Sequence, residues 1–328
     1  MIVLGQRDIG ELLSMRDCIG VMELALGALA RGESMVPLRT MMRLPGGTDI
    51  FALMPAYVPP VMGAKIISVF PGNHGTRLDS HQGAVLLFDA SNGSLQAVMD
   101  ATAITAIRTA AVSAVSARLL AREDANELAI IGSGVQARKH LEAIPLVRDI
   151  KRVRIWSRNR ANAEALCHPE RSEGPALHVC DSAEEAVRDA SIVCATTSSK
   201  EPVLKGAWIA PGTHVIAVGA ATPGAREVDT ALVKRSRLFV DSRVSALKEP
   251  GDILIPLEEG EITPDHIVAE LGEVVNGTRG GRESREEITF FKSLGLAVED
   301  IAAAQYVHAM AIRDSKGTHL ELGGTRDH

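Results

Sequence analysis

Three cationic side chains in the first third of the chain stand in apolar or small-residue surroundings, where charged groups seldom lie without a partner. They are Arg39 in "MVPLRTMM", Lys65 in "VMGAKIISVF" and Arg108 in "TAIRTAAVSA". If the three converge, they form a pocket for an anionic substrate, because guanidinium groups bind carboxylates through paired hydrogen bonds. Mutual repulsion would lower the pKa of Lys65 and make it a candidate proton donor to a substrate nitrogen. The alternative for each residue is an exposed or structurally paired cation.

A glycine-rich turn forms the second candidate site. Gly132, Gly134 and Ala137 fit the pattern G-x-G-x-x-A, directly after the apolar run "LAIIG" and at the start of a helix-patterned stretch. In that position the first glycine permits a tight turn, the second lets the backbone approach a pyrophosphate, and the small third residue allows close helix–strand packing. Together with Val135 and Gln136 at the helix start, these residues are predicted to bind a dinucleotide.

The next predicted strand, "VRIW", ends in residues that bear on the choice between NAD and NADP. Its tip holds Ser157, Arg158 and Asn159, with no acid. Sites selective for NAD carry a carboxylate for the ribose 2′-hydroxyl, whereas an arginine accommodates the 2′-phosphate of NADP. We therefore expect NADPH as the cofactor, with NADH less favoured. The alternative is that Arg158 is a solvated arginine on a loop.

Short apolar runs alternate with helix-patterned stretches from residue 127 onward. Several of these runs lack polar alternation, which is typical of parallel strands buried on both faces. The rhythm predicts an α/β, doubly wound domain of the Rossmann type over residues 122–302. The ends of its later strands add Thr196, Val218 and Gly219 as candidate cofactor contacts.

The remaining residues, 1–121 and 303–328, are predicted to form an α+β domain that the C-terminal helix completes. Its strand-like pieces are separated by Gly, Pro and Asn, and "LLFDASNGSLQAVMD" predicts a β-hairpin that turns near Asn92 and Gly93. Residues 103–121 are rich in small side chains and predict a helix. Within the α/β part, residues 167–176 predict a surface loop.

Composition narrows the classes of partner. A net charge of −6 and a pI near 6.0 give no basic field for nucleic acid or for an anionic membrane. Neither a signal peptide nor a run of ~18 apolar residues is apparent, so we expect a cytoplasmic protein without a membrane span. The four cysteines lie far apart and the ten histidines form no metal-binding pair, so we expect free thiols and no metal.

Several blocks along nearly the whole chain resemble the ornithine cyclodeaminase/mu-crystallin family, and most of all its mu-crystallin, ketimine-reductase branch. The longest is "SHQGAVLLFDASNGSLQAVMDATAITAIRTAAVSA", and others are "GSGVQA", "AVGAATPGAREVD" and "FKSLGLAVEDIAAA". The resemblance implies a homodimer joined through the sheets of the N-terminal domains, which also bind substrate. It implies further that Arg39, Lys65 and Arg108 line a pocket facing the nicotinamide and hold an α-imino or α-amino acid.

The same resemblance places Gln82 near this pocket and Ser293 and Leu294 near the nicotinamide edge. Two positions depart from the cyclodeaminase pattern. Ala221 stands where cyclodeaminases carry an aspartate that engages the amino end of the substrate, and Arg158 stands at a strand tip that is acidic in those enzymes. Both departures point to net reduction with NADPH.

We therefore expect an NADPH-dependent reductase that transfers hydride to the C=N bond of cyclic imino acids. Its substrates would be small anions such as 1-pyrroline-2-carboxylate and 1-piperideine-2-carboxylate, and its products proline or pipecolate. Three alternatives stay open: ornithine cyclodeamination, reductive amination of keto acids as by an alanine dehydrogenase, and NADPH-dependent carriage of a hydrophobic ligand as in some mu-crystallins. Retention of three cations favours catalysis, since a carrier would not require them all.

Overall fold

The computed structural model describes residues 1–73, 76–167 and 175–322. Most of the predicted loop at 167–176, and residues 323–328 of the predicted C-terminal segment, lie outside the described residues. The chain divides into two compact units, one formed by Met1–Arg108 with Leu296–His328 and the other by Thr109–Gly295.

Both units combine strands with helices. The strands among the described residues are β1 (Ile2–Leu4), β2 (Thr40–Arg43), β3 (Ile50–Val58), β4 (Val61–Val69), β5 (His81–Asp89), β6 (Leu95–Asp100), β7 (Glu127–Ile131), β8 (Arg152–Trp156), β9 (Ala176–Val179), β10 (Ile192–Ala195), β11 (His214–Ala217), β12 (Arg237–Val240), β13 (Ile267–Glu270), β14 (Thr289–Lys292) and β15 (Thr318–His319). The α-helices among the same residues are α1 (Gln6–Leu12), α2 (Met15–Ala30), α3 (Ala101–Leu120), α4 (Val135–Ala143), α5 (Arg160–Leu166), α6 (Ala183–Val187), α7 (Thr230–Arg235), α8 (Arg243–Ala246), α9 (Gly251–Glu258), α10 (Leu271–Val275) and α11 (Ala297–Arg313).

The first unit is built on a seven-stranded mixed sheet with the strand order β15-β1-β6-β5-β4-β3-β2. Strands β2 to β6 form antiparallel pairs, and β1 joins β6 in parallel. The predicted hairpin is confirmed, because β5 and β6 pair around a turn in which Gly93 has a φ of 77°. Glycine adopts such a φ without the steric cost that a side chain imposes.

Helix α11 covers one face of this sheet. It packs against β3, β4 and β5 and against α2. Residues 297–304 are all buried, and a helix buried on every side is normally apolar all round. Glu299 and Asp300 are exceptions to that pattern. The C-terminal helix thus completes the α+β unit as predicted, and it carries two carboxylates into the interior.

The second unit is a doubly wound α/β domain, as predicted. Its eight-stranded sheet has the order β13-β12-β14-β11-β10-β7-β8-β9, and each neighbouring pair of described strands is parallel. The run β9-β8-β7-β10-β11 follows the 3-2-1-4-5 part of the 3-2-1-4-5-6 order of dinucleotide-binding folds, and β14, the last strand of this sheet along the chain, lies next to β11 in place of the sixth. The order reverses between β7 and β10, and ligands bind at the carboxyl ends of the strands beside such a reversal.

The two units divide earlier in the chain than the boundaries predicted at residues 121 and 303. Helix α3 is shared, because its residues up to Arg108 group with the first unit and those from Thr109 group with the second. Helix α11 begins at Ala297 and groups entirely with the first unit.

Helix α3 is long and apolar enough to cross a membrane by length and composition, contrary to the expectation from the sequence. In the structure 78% of its most apolar window is buried. Small side chains such as Ala110, Ala111 and Ala114 have no exposed surface there. We therefore interpret α3 as a core helix whose small residues allow close packing.

Candidate functional site

Two of the three predicted cations meet in the first unit. Lys65 Nζ lies 2.6 Å from Asp300 Oδ2, and Arg108 Nε donates to Asp300 Oδ1 at 2.8 Å. Arg108 Nη1 donates to Glu299 Oε2 at 2.7 Å. Lys65 is 2% exposed and Arg108 is 4% exposed, and both carboxylates are fully buried. We call Lys65, Arg108, Glu299 and Asp300 the four-charge cluster.

The secondary structure explains why these side chains converge. Lys65 lies on β4 opposite Met54 of β3 and Val85 of β5, among buried residues of the sheet that α11 covers. Glu299 and Asp300 lie in the first turn of α11. The partial positive charge at a helix N-terminus stabilises carboxylates in that position.

Burial lowers the pKa of Lys65 to about 8. Asp300 raises this pKa and the charges of Arg108 and Arg39 lower it, but loss of hydration is the largest effect. For Asp300, burial raises the pKa, whereas Arg108 and Lys65 lower it, and the pKa ends below its ordinary value. The predicted direction for Lys65 is confirmed, although the main cause is burial and not repulsion. A lysine with this pKa can hold and release a proton near neutral pH.

The other two predicted substrate residues lie less deep. Arg39 is half-buried just before β2, near enough to Lys65 for its charge to lower the pKa of that lysine. Gln82 is exposed on β5, and its amide donates to the backbone oxygen of Asp79 at 3.0 Å. It pairs with Ser68 on β4. Because strand residues alternate between faces, Gln82 lies on the face opposite Lys65, and the structure does not bring it to the four-charge cluster.

Sequence reasoning missed both carboxylates of the cluster. Glu299 and Asp300 stand in "LAVEDIAAA", which is otherwise apolar. The rule that singled out the cations, that a charge in apolar surroundings needs a partner, applies equally to this pair. Applied to both signs of charge, it would have found the partners of Lys65 and Arg108.

The glycine-rich turn connects β7 to α4 in the second unit. Gly132 has a φ of 119°, and a Cβ at this position would lie 2.7 Å from Thr196 Oγ1. Only glycine fits there. Ala137 is fully buried, which allows α4 to pack closely on the sheet. Gly134 is the N-cap of α4, and a Cβ on it would meet no atom within 4 Å, so the space before the helix is open.

This open helix N-terminus fits the pyrophosphate of a dinucleotide. The first N–H groups of any helix lack partners within the helix and carry partial positive charge, which favours anions. Val135 and Gln136 supply such groups at the start of α4. Val135 is exposed and Gln136 is half-buried. The geometry of the turn therefore suits the cofactor contacts predicted for it.

The tip of β8 carries the residues predicted to bind the 2′-phosphate. The hydroxyl oxygen of Ser157 lies 2.8 Å from that of Ser133 in the glycine-rich turn. Asn159 caps α5 by accepting from the N–H of Ala161. Arg158 is exposed between them. The two neighbours of Arg158 are thus held in local contacts, while its guanidinium is accessible to a ligand.

The ends of β10 and β11 hold three more of the predicted residues. Thr196 Oγ1 donates to the backbone oxygen of Ile131 at 3.1 Å, which ties the end of β10 to β7. Val218 is half-buried and Gly219 is exposed, directly after β11. All three therefore lie at the carboxyl edge of the sheet, where the fold class places its ligands.

Ser293 and Leu294 follow β14 at the same edge, and both are buried. The Asp241 carboxylate shapes this turn, because its Oδ2 accepts from the N–H groups of Leu294 at 2.5 Å and Gly295 at 2.9 Å. The Ser293 hydroxyl has no hydrogen-bond partner among the residues described. Buried polar groups normally have partners, so this hydroxyl is a second feature that fits a bound cofactor.

A group of side chains able to bind a metal lies at the β9 edge of the second sheet. The ligand atoms of His178, Cys180 and Glu185 lie within 4.8 Å of one another. The cavity they line, of about 530 Å³, is also lined by Arg152 and Arg154. Guanidinium charge opposes the binding of a cation. We assign the group no role, and the expectation of no metal stays a prediction.

Known proteins resemble the chain over almost its whole length. A family model described as "Ornithine cyclodeaminase/mu-crystallin family" matches residues 1–315. The ketimine reductase mu-crystallin of Mus musculus is 41% identical over 292 residues, which span 88% of this chain and 90% of that protein. The structure of Thermococcus litoralis Delta(1)-pyrroline-2-carboxylate reductase in complex with NADH and L-proline has a TM-score of 0.95 and 39% identity, covering 98% of this chain and 100% of that one. An archaeal alanine dehydrogenase dimer with bound NAD has a TM-score of 0.94 and 32% identity, covering 98% and 99% of the two chains.

Proposed function

The chain belongs to the ornithine cyclodeaminase/mu-crystallin family, and we propose that it is a nicotinamide-dependent reductase of cyclic imino acids. Its substrates are 1-pyrroline-2-carboxylate and 1-piperideine-2-carboxylate, and its products are proline and pipecolate. The names of its relatives support this reaction, since they include a ketimine reductase and a pyrroline-2-carboxylate reductase whose structure contains NADH and L-proline.

The observation that carries the proposal is the meeting of Lys65 and Arg108 at one carboxylate, Asp300. The four-charge cluster is neutral when all its members are ionised. The half-buried Arg39 adds a positive charge that acts on Lys65. Positive side chains at the site complement the carboxylate of a small imino acid.

The cluster can also manage the proton that imine reduction consumes. A bound reduced nicotinamide supplies a hydride to the imine carbon. Lys65, charged below its pKa of about 8, donates a proton to the ring nitrogen, so that the C=N bond becomes CH–NH. Arg108 and Arg39 hold the carboxylate and present the imine carbon in one orientation, which lowers the entropic cost of the reaction.

The proposal is tested by following NADPH oxidation by the purified protein with a small panel of acceptors. We expect turnover with both cyclic imines and much slower turnover with pyruvate plus ammonia or methylamine. Faster turnover with pyruvate and ammonia would instead support reductive amination, the reaction of the alanine dehydrogenase that the chain resembles. Tight binding of NADPH with no turnover of any acceptor would support a carrier.

Ornithine cyclodeamination is the remaining alternative, and Ala221 argues against it. This residue is half-buried against the core of the second unit and has no carboxylate to engage a substrate amino group. We expect no release of ammonia from ornithine when NAD is the cofactor present. Release of ammonia at a rate comparable to imine reduction would contradict this part of the proposal.

The choice of NADPH over NADH rests on the tip of β8. Arg158 is exposed there, so its guanidinium can bind a 2′-phosphate through paired hydrogen bonds. The nearby Arg160 forms ion pairs with Glu164 and Asp181. Those pairs partly neutralise both carboxylates, which lessens their repulsion of a phosphate.

A homodimer is supported by the outward face of the seven-stranded sheet. Phe51, Leu53 and Tyr57 on β3 and Met62 on β4 are exposed, and strand register places all four on the face opposite Lys65. An apolar sheet face of this kind marks an interaction surface, and we propose that a second copy of the chain covers it. Leu53→Glu should convert a dimer to a monomer in light scattering, and a monomeric wild type would contradict the assignment.

A further inference from the structure

A second buried carboxylate system lies in the second unit, at the carboxyl ends of β10 and β11. Glu227 has no exposed surface. Its Oε1 accepts from the N–H of Thr197 at 2.6 Å and from Thr197 Oγ1 at 2.8 Å, and its Oε2 accepts from the N–H of Gly219 at 2.6 Å. One carboxylate therefore ties together the two segments that leave these strands.

The two segments approach each other as closely as their backbones allow. A Cβ on Gly219 would lie 1.8 Å from the backbone oxygen of Thr197 and 2.7 Å from Glu227 Oε1. Gly219 thus has no room for a side chain, and Glu227 lies at the point of closest approach. Any displacement of its carboxylate must move one segment or the other.

Asp252 accepts from the backbone of Glu227, and Lys292 pairs with Asp252. Asp252 Oδ1 accepts from the N–H groups of Glu227 at 2.7 Å and Val228 at 3.1 Å, and Lys292 Nζ lies 3.0 Å from Asp252 Oδ2. Both Asp252 and Lys292 are fully buried. Burial raises the pKa of Glu227, and the charge of Lys292 acts in the opposite direction. We call Glu227, Asp252 and Lys292 the clamp.

The place of these segments in the sheet indicates which half of a dinucleotide they serve. The strand order reverses between β7 and β10, and β8, with the predicted 2′-phosphate residues, lies on one side of the reversal. Strands β10 and β11 lie on the other side and belong to the second mononucleotide-binding half of the fold. In a nicotinamide dinucleotide this is the half that receives the nicotinamide nucleotide.

We infer that Glu227 is a positioning residue for the nicotinamide half of the cofactor. Its carboxylate holds the segments of Thr197 and Gly219 together, and these segments set the position of the nicotinamide ring and its ribose. The inference rests on the proposed use of a nicotinamide cofactor. It assigns Glu227 no part in binding the pyrophosphate or the 2′-phosphate.

The test compares two ligands on two variants. Glu227→Gln replaces one acceptor oxygen with an NH₂ group. This group then faces the N–H of Thr197 or of Gly219, and two donors cannot form a hydrogen bond. Asp229→Asn is the matched control, because the Asp229 carboxylate also accepts two backbone N–H bonds, from Gly206 and Leu232, only two residues along the chain. The ligands are NADPH and 2′-phospho-ADP-ribose, which lacks the nicotinamide.

We expect Glu227→Gln to weaken NADPH binding about tenfold, as expected when a buried donor loses its acceptor, and to bind 2′-phospho-ADP-ribose like the wild type. Asp229→Asn should bind both ligands unchanged. Equal weakening of both ligands by Glu227→Gln, or no weakening of NADPH, would overturn the inference. Thr197→Val removes the hydroxyl bond to Glu227 and the acceptor of the Ser199 N–H, but it keeps the backbone bond from Thr197 to Glu227. It should weaken NADPH about threefold and keeps the test valid if Glu227→Gln does not fold.

These measurements need no imino acid, so they separate this inference from the proposed reaction. If the wild type binds NADPH but reduces no cyclic imine, the proposed reaction fails and the assignment of Glu227 is still decided by the two ligands. If imine reduction is observed and Glu227→Gln affects both ligands equally, the reaction stands and the positioning role fails.

Discussion

Each unit of the molecule buries a set of charges, and the two sets are built differently. In the first unit, the two cations and two carboxylates of the four-charge cluster bind one another through their side chains. In the second unit, Glu227 and Asp252 accept mainly from backbone N–H groups, and Lys292 pairs with Asp252. The first set is therefore held by ion pairs between side chains, and the second mainly by hydrogen bonds from backbone N–H groups to carboxylates.

This difference teaches what each set can do. A carboxylate bound to backbone N–H groups fixes chain segments, so its loss changes the shape of a ligand site. In the first set, burial lowers the pKa of Lys65 to about 8, so this lysine can hold and release a proton near neutral pH. We therefore interpret the four-charge cluster as the set that takes part in the reaction, and the clamp as the set that positions chain segments around a ligand.

The largest expected effect comes from removing the lysine of each set. Lys65→Met should lower turnover of cyclic imines by roughly 10²- to 10⁴-fold, the usual contribution of a general acid, while NADPH affinity is unchanged. Lys292→Met should instead destabilise the protein by about 3–5 kcal/mol, because it leaves the buried Asp252 without its cation. Kinetics and chemical unfolding of both variants provide the measurement. Similar losses of turnover at similar stability would remove the distinction between the sets.

The next largest effect concerns the adenosine end of the second unit, away from the clamp. Arg158→Asp should reverse the cofactor preference, weakening NADPH by about 10- to 100-fold through loss of a charge-assisted contact and new repulsion. The ratio of kcat/KM for NADPH and NADH provides the measurement, and Arg152→Asp, at the opposite end of β8 from the tip, is the control. An unchanged KM for NADPH would show that Arg158 is only a solvated arginine.

A smaller effect separates the units by their response to acid. Burial lowers the pKa of His140 to about 4 and that of His214 to about 3, both in the second unit. Because the unfolded chain binds these protons near pH 6.5, stability present above that pH is lost as the pH falls. Each histidine should remove about 2 kcal/mol between pH 7 and pH 5. As the pH falls, hydrogen exchange should show that β7 and β11 lose protection before β4 and β5 do. His140→Asn should reduce this difference between the units. Equal loss of protection in both units would contradict the prediction.

The smallest expected effect is a shift in the pH profile of the reaction, and it tests Lys65 of the four-charge cluster as the proton donor. If Lys65 donates the proton, kcat/KM for imine reduction falls as the pH rises through its pKa of about 8. Asp300 raises that pKa, so Asp300→Asn should move the alkaline fall to lower pH. Asp100→Asn, which alters a carboxylate outside the four-charge cluster, serves as the control. A pH profile that stays in place in Asp300→Asn would exclude Lys65 as the titrating group.

Local patterns made much of the second unit predictable. The turn with Gly132 and Gly134 follows from rules that span six residues, and the uninterrupted apolar strands identify a parallel sheet. The insertion of β14 between β11 and β12 could not be predicted, because strand order depends on pairing between distant segments. Glu227 escaped notice for the same reason, since its partners Thr197 and Gly219 become neighbours only when β10 and β11 align.

In the first unit the sequence indicated the cations but not their arrangement. Lys65 and Arg108 were identified by their apolar surroundings, whereas their partner Asp300 lies near the other end of the chain and joins them only through the packing of α11. Gln82 was placed near the pocket by resemblance, and strand register then put it on the opposite sheet face from Lys65. The alternation of faces depends on where β5 begins to pair, which the sequence does not define.

The most direct test of the central claim, that the four-charge cluster receives a cyclic imino acid, is a crystal structure with NADPH and the planar analogue pyrrole-2-carboxylate. We predict that the carboxylate of the analogue accepts hydrogen bonds from Arg108 and that, in crystals kept above pH 8 where Lys65 is neutral, the pyrrole N–H of the analogue donates to Lys65 Nζ. An analogue bound elsewhere, with Lys65 and Arg108 contacting only Asp300 and Glu299, would contradict the claim.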